Sequence, residues 1–120
     1  METKEQKDIL RELKQFTGTE NYYKSALGNL KYTDGVRYLL EKCSCYWIID
    51  AINSYQHQLK EIPFQLWKIA VRVGKTGLVT CQEDTDSPVL ISQELEYTDF
   101  PLDEINLYCI DGVVLLPSEY

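Results

Sequence analysis

Phe64-Gln65-Leu66-Trp67-Lys68-Ile69-Ala70-Val71-Arg72-Val73 is the stretch whose periodicity decides the fold. Within it Trp67, Ile69, Val71 and Val73 alternate with Lys68, Ala70 and Arg72. A period of two sends successive side chains to opposite faces, the pattern of a half-buried antiparallel strand. Gly74-Lys75-Thr76-Gly77 reads as a hairpin loop and Leu78 to Gln82 as the returning strand. After an acidic turn from Glu83 to Pro88, Val89, Ile91, Leu95 and Tyr97 share one face, while Ser92, Glu94 and Glu96 share the other. Asp99 before Phe100-Pro101 reads as the N-cap of a short helical turn, with Asp103 and Glu104 in its first turn. Asp111-Gly112 is a two-residue hairpin signal of type I′ character, joining Leu107–Ile110 to Val113–Leu116.

Upstream of Phe64 the period is close to 3.6. Thr3 and Gln6 form a capping-box pattern ahead of Ile9, Leu13 and Phe16, which predicts an amphipathic helix over residues 4–15 closed by Gly18. Thr19 to Lys31 reads as a loop or as a short irregular helix. Thr33-Asp34-Gly35 starts another helix, with Thr33 or Asp34 as N-cap and with Val36, Leu39, Leu40 and Cys43 along one side. Ser44 is placed to cap a fresh helix bearing Trp47, Ile48, Ala51, Ile52 and Tyr55, so residues 34–57 are one helix or two broken near Cys43–Cys45. Pro63 ends the helical part. Helices first and strands afterwards is the order of an α+β domain. The expectation is a single domain over residues 1–120, with a helical half (1–62) and a strand-rich half (63–120). Its N-terminal helices would pack on one face of a four- to five-stranded antiparallel sheet.

Charge divides the chain too, after Lys75. Residues 1–75 hold all 12 Lys and Arg against 9 Asp and Glu, a net charge of +3, whereas residues 76–120 hold 10 acidic residues and no basic one. Nucleic acid is an unsuitable direct partner for that acidic half, because phosphates would be repelled. The sharper reading is electrostatic docking onto a basic protein surface. No stretch is apolar enough for a signal peptide or a membrane span, so a cytoplasmic protein with reduced thiols is expected.

Three local patterns invite specific chemistry. Gly74-Lys75-Thr76 imitates the tail of a phosphate-binding loop, but Ile69 stands where that loop needs glycine and a strand follows instead of a helix. Cys43, Cys45, Cys81 and Cys109 would suffice for a tetrahedral zinc site, yet their spacing lacks the paired Cys-x-x-Cys knuckle. Core packing is therefore expected for them, with no metal and no cofactor. Asp50 and His57 lie on one polar stripe with Asn53, a candidate acid–base pair without a recognisable nucleophile.

Phe16-Thr17-Gly18-Thr19-Glu20 with Tyr22-Tyr23, Tyr32-Thr33-Asp34-Gly35-Val36, and Tyr46-Trp47-Ile48-Ile49-Asp50-Ala51-Ile52 form an ordered set with Tyr97-Thr98-Asp99-Phe100-Pro101 and the terminal Leu116-Pro117-Ser118-Glu119-Tyr120. By these stretches the chain resembles a family of small bacterial and phage proteins, the domain of unknown function 6876. The resemblance implies no activity, cofactor or catalytic residue. The family's phage and mobile-element setting implies an anti-defence or accessory role. The aromatic terminus is either tied into the fold or offered to a partner.

The expected function is that of a small acidic, non-enzymatic interaction protein. It would bind and inhibit a basic host factor such as a nucleic-acid-binding defence complex, in an anti-CRISPR-like or other anti-defence role. The candidate contact residues are Glu83, Asp84, Asp86, Glu94, Glu96, Asp99 and Tyr120. The alternatives are a small enzyme using Asp50 and His57, and a homo-oligomer in which the basic half of one copy meets the acidic half of another.

Overall fold

The computed structural model describes residues 3–26 and 28–120. Helix α1 (Lys4–Leu13) is followed by strands β1 (Tyr22–Lys24) and β2 (Lys31–Thr33), then by helices α2 (Asp34–Lys42) and α3 (Trp47–Ser54). Strands β3 (Phe64–Val71), β4 (Gly77–Gln82), β5 (Val89–Leu95), β6 (Glu104–Ile110) and β7 (Val113–Leu115) complete the chain, with 3-10 turns at Gln56–Gln58 and Pro117–Glu119. The strands make one sheet in the order β1-β2-β7-β6-β3-β4-β5. Neighbours are antiparallel except β2 and β7, which run parallel.

The class is α+β, but the sheet is seven-stranded and mixed among the described residues, not four- or five-stranded and antiparallel. Two short strands, β1 and β2, stand among the helices of the first 62 residues. Three-residue strands are too short to display a period, and β1 is mostly exposed, so neither carried a readable pattern. Their hairpin is closed by Ser25 N–H donating to Leu30 O at 2.9 Å. The helices do not form one even layer: α2 lies against α1 and also over β1, β2 and β7.

Local signals account for most element boundaries. Thr3 and Gln6 exchange both capping-box bonds at the start of α1. Thr33 caps α2, its Oγ1 accepting from Val36 N–H at 3.3 Å. Residues 34–57 divide into two helices, yet Ser44 is not the cap of the second. It sits at φ 51°, a left-handed corner, and Cys45 N–H reaches back to Leu40 O at 3.0 Å. The corner turns the chain, so that α3 starts only at Trp47, without a side-chain cap. No helical turn follows Asp99. Thr98 supplies the turn instead, its Oγ1 accepting from Phe100 N–H at 3.2 Å. Phe100 and Leu102 both bury, and Val71 N–H donates to Asp103 O at 2.8 Å, which draws the segment straight into β6. Asp111 and Gly112, at φ 50° and 83°, make the expected tight turn between β6 and β7.

The core lies between the helices and one face of the sheet. On β3 Trp67 stands between Cys81 of β4 and Leu107 of β6, and Ile69 between Val79 and Ile105. These side chains meet Ile9, Val36, Leu39, Leu40, Ile48 and Ile52 from the helices. The buried indole is answered, with Trp67 Nε1 donating to Gln65 Oε1 at 3.0 Å and Gln65 paired to Gln56 across both amides. Leu107 is fully buried at the middle of β6. Leu107→Ala is expected to lower the unfolding free energy by roughly 3 kcal/mol in chemical denaturation; a loss below about 1 kcal/mol would contradict this core.

Candidate interaction surface

The acidic residues beyond Lys75 are held in three different ways. Glu119 is consumed by the fold, accepting from Thr33 Oγ1 at 2.6 Å, Leu116 N–H at 2.9 Å and Gly35 N–H at 3.1 Å. Glu104 pairs with Lys68 at 3.3 Å, and Glu94 meets Arg72 only at 4.0 Å with both side chains largely exposed. Glu83, Asp86, Glu96 and Asp99 are exposed and have neither an ion pair nor a side-chain hydrogen bond among the described residues. Asp84 Oδ1 accepts from Asp86 N–H at 2.8 Å, while Gln82 Nε2 donates to Asp84 O and Ser87 O. The acidic turn is therefore a fixed structure that presents its carboxylates outward.

Beside this rim, α3 and β5 enclose a groove of about 570 Å³. Trp47, Asp50, Ala51 and Ser54 occur at i, i+3, i+4 and i+7, one stripe of α3, and form its first wall. Gln93, Leu95, Tyr97 and Asp99 contribute the other. Tyr55 fixes the spacing of the two walls, its hydroxyl bonded to Gln93 Oε1 at 2.9 Å and its ring against Trp67. Asp50 and Asp99 are thereby brought to one groove, a juxtaposition invisible in a sequence that separates them by the whole of β3, β4 and β5.

Asp50 and His57 are both exposed and share no hydrogen bond or ion pair. The groove that takes Asp50 does not include His57, which lies past the end of α3 in the turn at Gln56–Gln58. Tyr120 is 76% exposed, with its ring edge-on to Phe64 and Tyr108 on the uncovered face of the sheet. The terminus is thus both tied down, through Glu119, and open to solvent, through Tyr120. The cysteines are free and buried, and among the described residues no group of three or more His, Cys, Asp or Glu is placed to hold a metal ion. Burial pushes the thiols of Cys81 and Cys109 up to about 12. A hydrogen bond between Cys43 and Cys45 draws the Cys43 thiol down and pushes that of Cys45 up.

A second cavity, of about 940 Å³, escaped sequence reasoning. Its floor is organised by Asp34, which accepts from Glu20 N–H at 3.0 Å, Tyr23 OH at 2.9 Å, and both the backbone and the side chain of Asn21 at 3.4 Å. Asp34 N–H in turn donates to Thr19 Oγ1 at 2.9 Å. The Glu20 amide, followed by the Tyr23 hydroxyl, holds the Asp34 carboxyl below the ordinary value of 3.8. Arg37 lies over the Tyr23 ring at 4.5 Å and bonds Glu41 at 3.1 Å, closing the far side.

A model described as a family of unknown function (DUF6876) matches residues 7–120. The chain belongs to that family. No curated protein and no solved structure matches it. Among the stretches that resemble DUF6876, Phe16–Glu20 and Tyr22–Tyr23 meet Tyr32–Val36 around the Asp34 clamp. Tyr46–Ile52 and Tyr97–Pro101 meet across the α3–β5 groove. Among the described residues of this DUF6876 chain, no helix is long and apolar enough to cross a membrane.

Two outcomes follow for solution measurements. With its folded pKa depressed, Asp34 stabilises the fold above its unfolded value and loses that contribution as pH falls through the folded one. Asp34→Ala is thus expected to lower Tm at neutral pH and speed amide exchange at Glu20 and Asn21, with the difference from wild type shrinking toward pH 3. An unchanged exchange rate at both amides would dismiss the clamp. In alkylation of the folded protein at pH 8, followed by mass spectrometry, Cys43 is expected to react first, and the buried, raised thiols of Cys45, Cys81 and Cys109 only after it.

Proposed function

We propose that this DUF6876 protein is a non-enzymatic interaction protein whose acidic end docks onto a basic protein surface and blocks it. The observation that carries the reading is the exposed, unpaired state of Glu83, Asp86, Glu96 and Asp99, with Arg72 reaching Glu94 only weakly. A face built only for solubility intersperses both signs. Here 10 acidic residues follow the last basic one, and those that the fold does not use collect around β5 and its flanking turns. A nucleic-acid-binding host factor, such as a defence complex, offers the complementary basic groove, and occupying it would exclude phosphate backbones. Anti-defence inhibition in a phage or mobile-element setting is the specific form of this proposal.

The test is affinity capture from host lysate with wild type beside a Glu94→Lys, Glu96→Lys double variant. Capture of basic proteins is expected to fall at least about tenfold between about 0.05 M and about 0.5 M salt, because counter-charges a Debye length apart are screened. The double variant is expected to lose them at low salt. Equal capture by both proteins sinks the electrostatic reading.

A further inference from the structure

We propose that the α3–β5 groove receives an extended basic peptide segment of the partner, added as a strand to the free edge of β5, with a lysine or arginine side chain seated between Trp47, Asp50, Tyr97 and Asp99. This rests on the docking reading above and specifies how the partner is held.

Three independent features converge on that occupant. The first is an open edge. β5 is the last strand of the sheet, and among the described residues the backbone of Val89–Leu95 bonds only to β4. Alternate N–H and C=O groups along such a strand point outward, ready for another chain. The register shift between Cys81 and Gln82 disturbs the start of β5, near the exposed Val89 and Leu90. Ile91–Leu95 remains regular, a run of about 13 Å at strand rise.

The second feature is the wall above that edge. The α3 stripe stands over the same side of β5 that carries Gln93 and Leu95, so an added strand would have its inward side chains covered by Trp47 and Ala51. Backbone bonds to an edge give affinity, and pockets for alternate side chains give selectivity.

Charge is the third. The groove lining contains two carboxylates and no Lys, Arg or His, and among the described residues neither the Asp50 nor the Asp99 side chain has a hydrogen bond or ion pair. Trp47 and Tyr97, the latter 69% exposed, offer aromatic faces to a cation. Glu94 and Glu96 continue the negative potential along the exposed side. A second copy of this chain fits the edge poorly, since it would bring the same carboxylates against themselves.

The probe is a capped eight-residue peptide alternating lysine and valine, titrated into the full chain by fluorescence anisotropy and followed by amide NMR shifts. Binding is expected to shift amides of Ile91–Leu95 and to weaken at least tenfold in Asp50→Asn with Asp99→Asn. A charge-matched control, Glu61→Gln with Asp111→Asn, removes the same two charges at exposed positions away from the groove and is expected to weaken binding less than threefold. The same peptide N-methylated at alternate residues is expected to lose at least tenfold, because strand addition needs its donors. Equal losses in the two double variants, undiminished binding of the N-methylated peptide, shifts confined to other strands, or no binding at about 1 mM would each overturn the groove. If lysate capture responds to the Glu94/Glu96 reversal but not to Asp50→Asn with Asp99→Asn, acidic docking stands and strand addition falls. Peptide binding of the expected kind without lysate capture upholds the groove and removes the host-factor reading.

Discussion

Glu119 reaches from the C-terminal turn to Thr33 Oγ1 and the Gly35 amide, and in doing so fastens the N-terminal hairpin to the rest of the sheet. The joint it secures is otherwise slight. β2 and β7 pair over two residue positions, Lys31 with Val113 and Tyr32 with Val114, supplemented by Lys31 N–H donating to Gly112 O at 2.9 Å. A parallel ladder this short does not sustain itself. The carboxylate also sits at the positive end of α2, where a negative charge is favoured. Gly35 is required for the approach: a Cβ there would lie 2.8 Å from Glu119 Oε1 and 2.6 Å from Leu116 Cδ1. One side chain three-dimensionally links the last turn, the start of a helix and the weakest strand pair, so β1 and β2 belong to the sheet because the terminus does.

With Glu119 committed inward, the remaining carboxylates of the C-terminal half are free to define a surface. Lys68 of β3 answers Glu104 of the neighbouring β6. Among the described residues the one ion pair made by β5 is that of Glu94 with Arg72, at 4.0 Å. Edge strands commonly carry charge to discourage indiscriminate pairing. The same charge, if all of one sign and beside a lined groove, discourages acidic and neutral strands while leaving basic ones admissible.

Much of this was legible in the chain because strong local rules agreed with the tertiary outcome. The alternation over Trp67 to Val71, the Thr3/Gln6 box, the Thr33 cap and the Asp111-Gly112 turn each appear where the residues demand them. The failures have equally specific causes. Tyr22–Lys24 and Lys31–Thr33 are strands only because β7 and Glu119 receive them, so nothing local announces them. Ser44 looked like a cap by residue type but occupies a left-handed corner imposed by the burial of Cys43 and Cys45 on either side. Asp99 looked like a helix start, but the burial of Phe100 and Leu102 outweighed capping preference and kept the segment extended.

The site followed the same division. Surface carboxylates could be nominated from charge alone, since Glu83, Asp84, Asp86, Glu94 and Glu96 had no basic neighbours in sequence to neutralise them. The groove could not, because its two walls are set by Tyr55 bridging α3 to Gln93 and by a sheet order that leaves β5 outermost. Asp50 was singled out for a partnership with His57 on the premise of a continuous helix. The helix instead stops at Ser54, and the neighbour that matters to Asp50 is Asp99. Two unpaired carboxylates sharing one groove repel each other, and the arrangement is relieved by any cation that enters. Asp50, first weighed for proton transfer with His57, thus shares its groove with a second carboxylate, an arrangement suited to a positive charge.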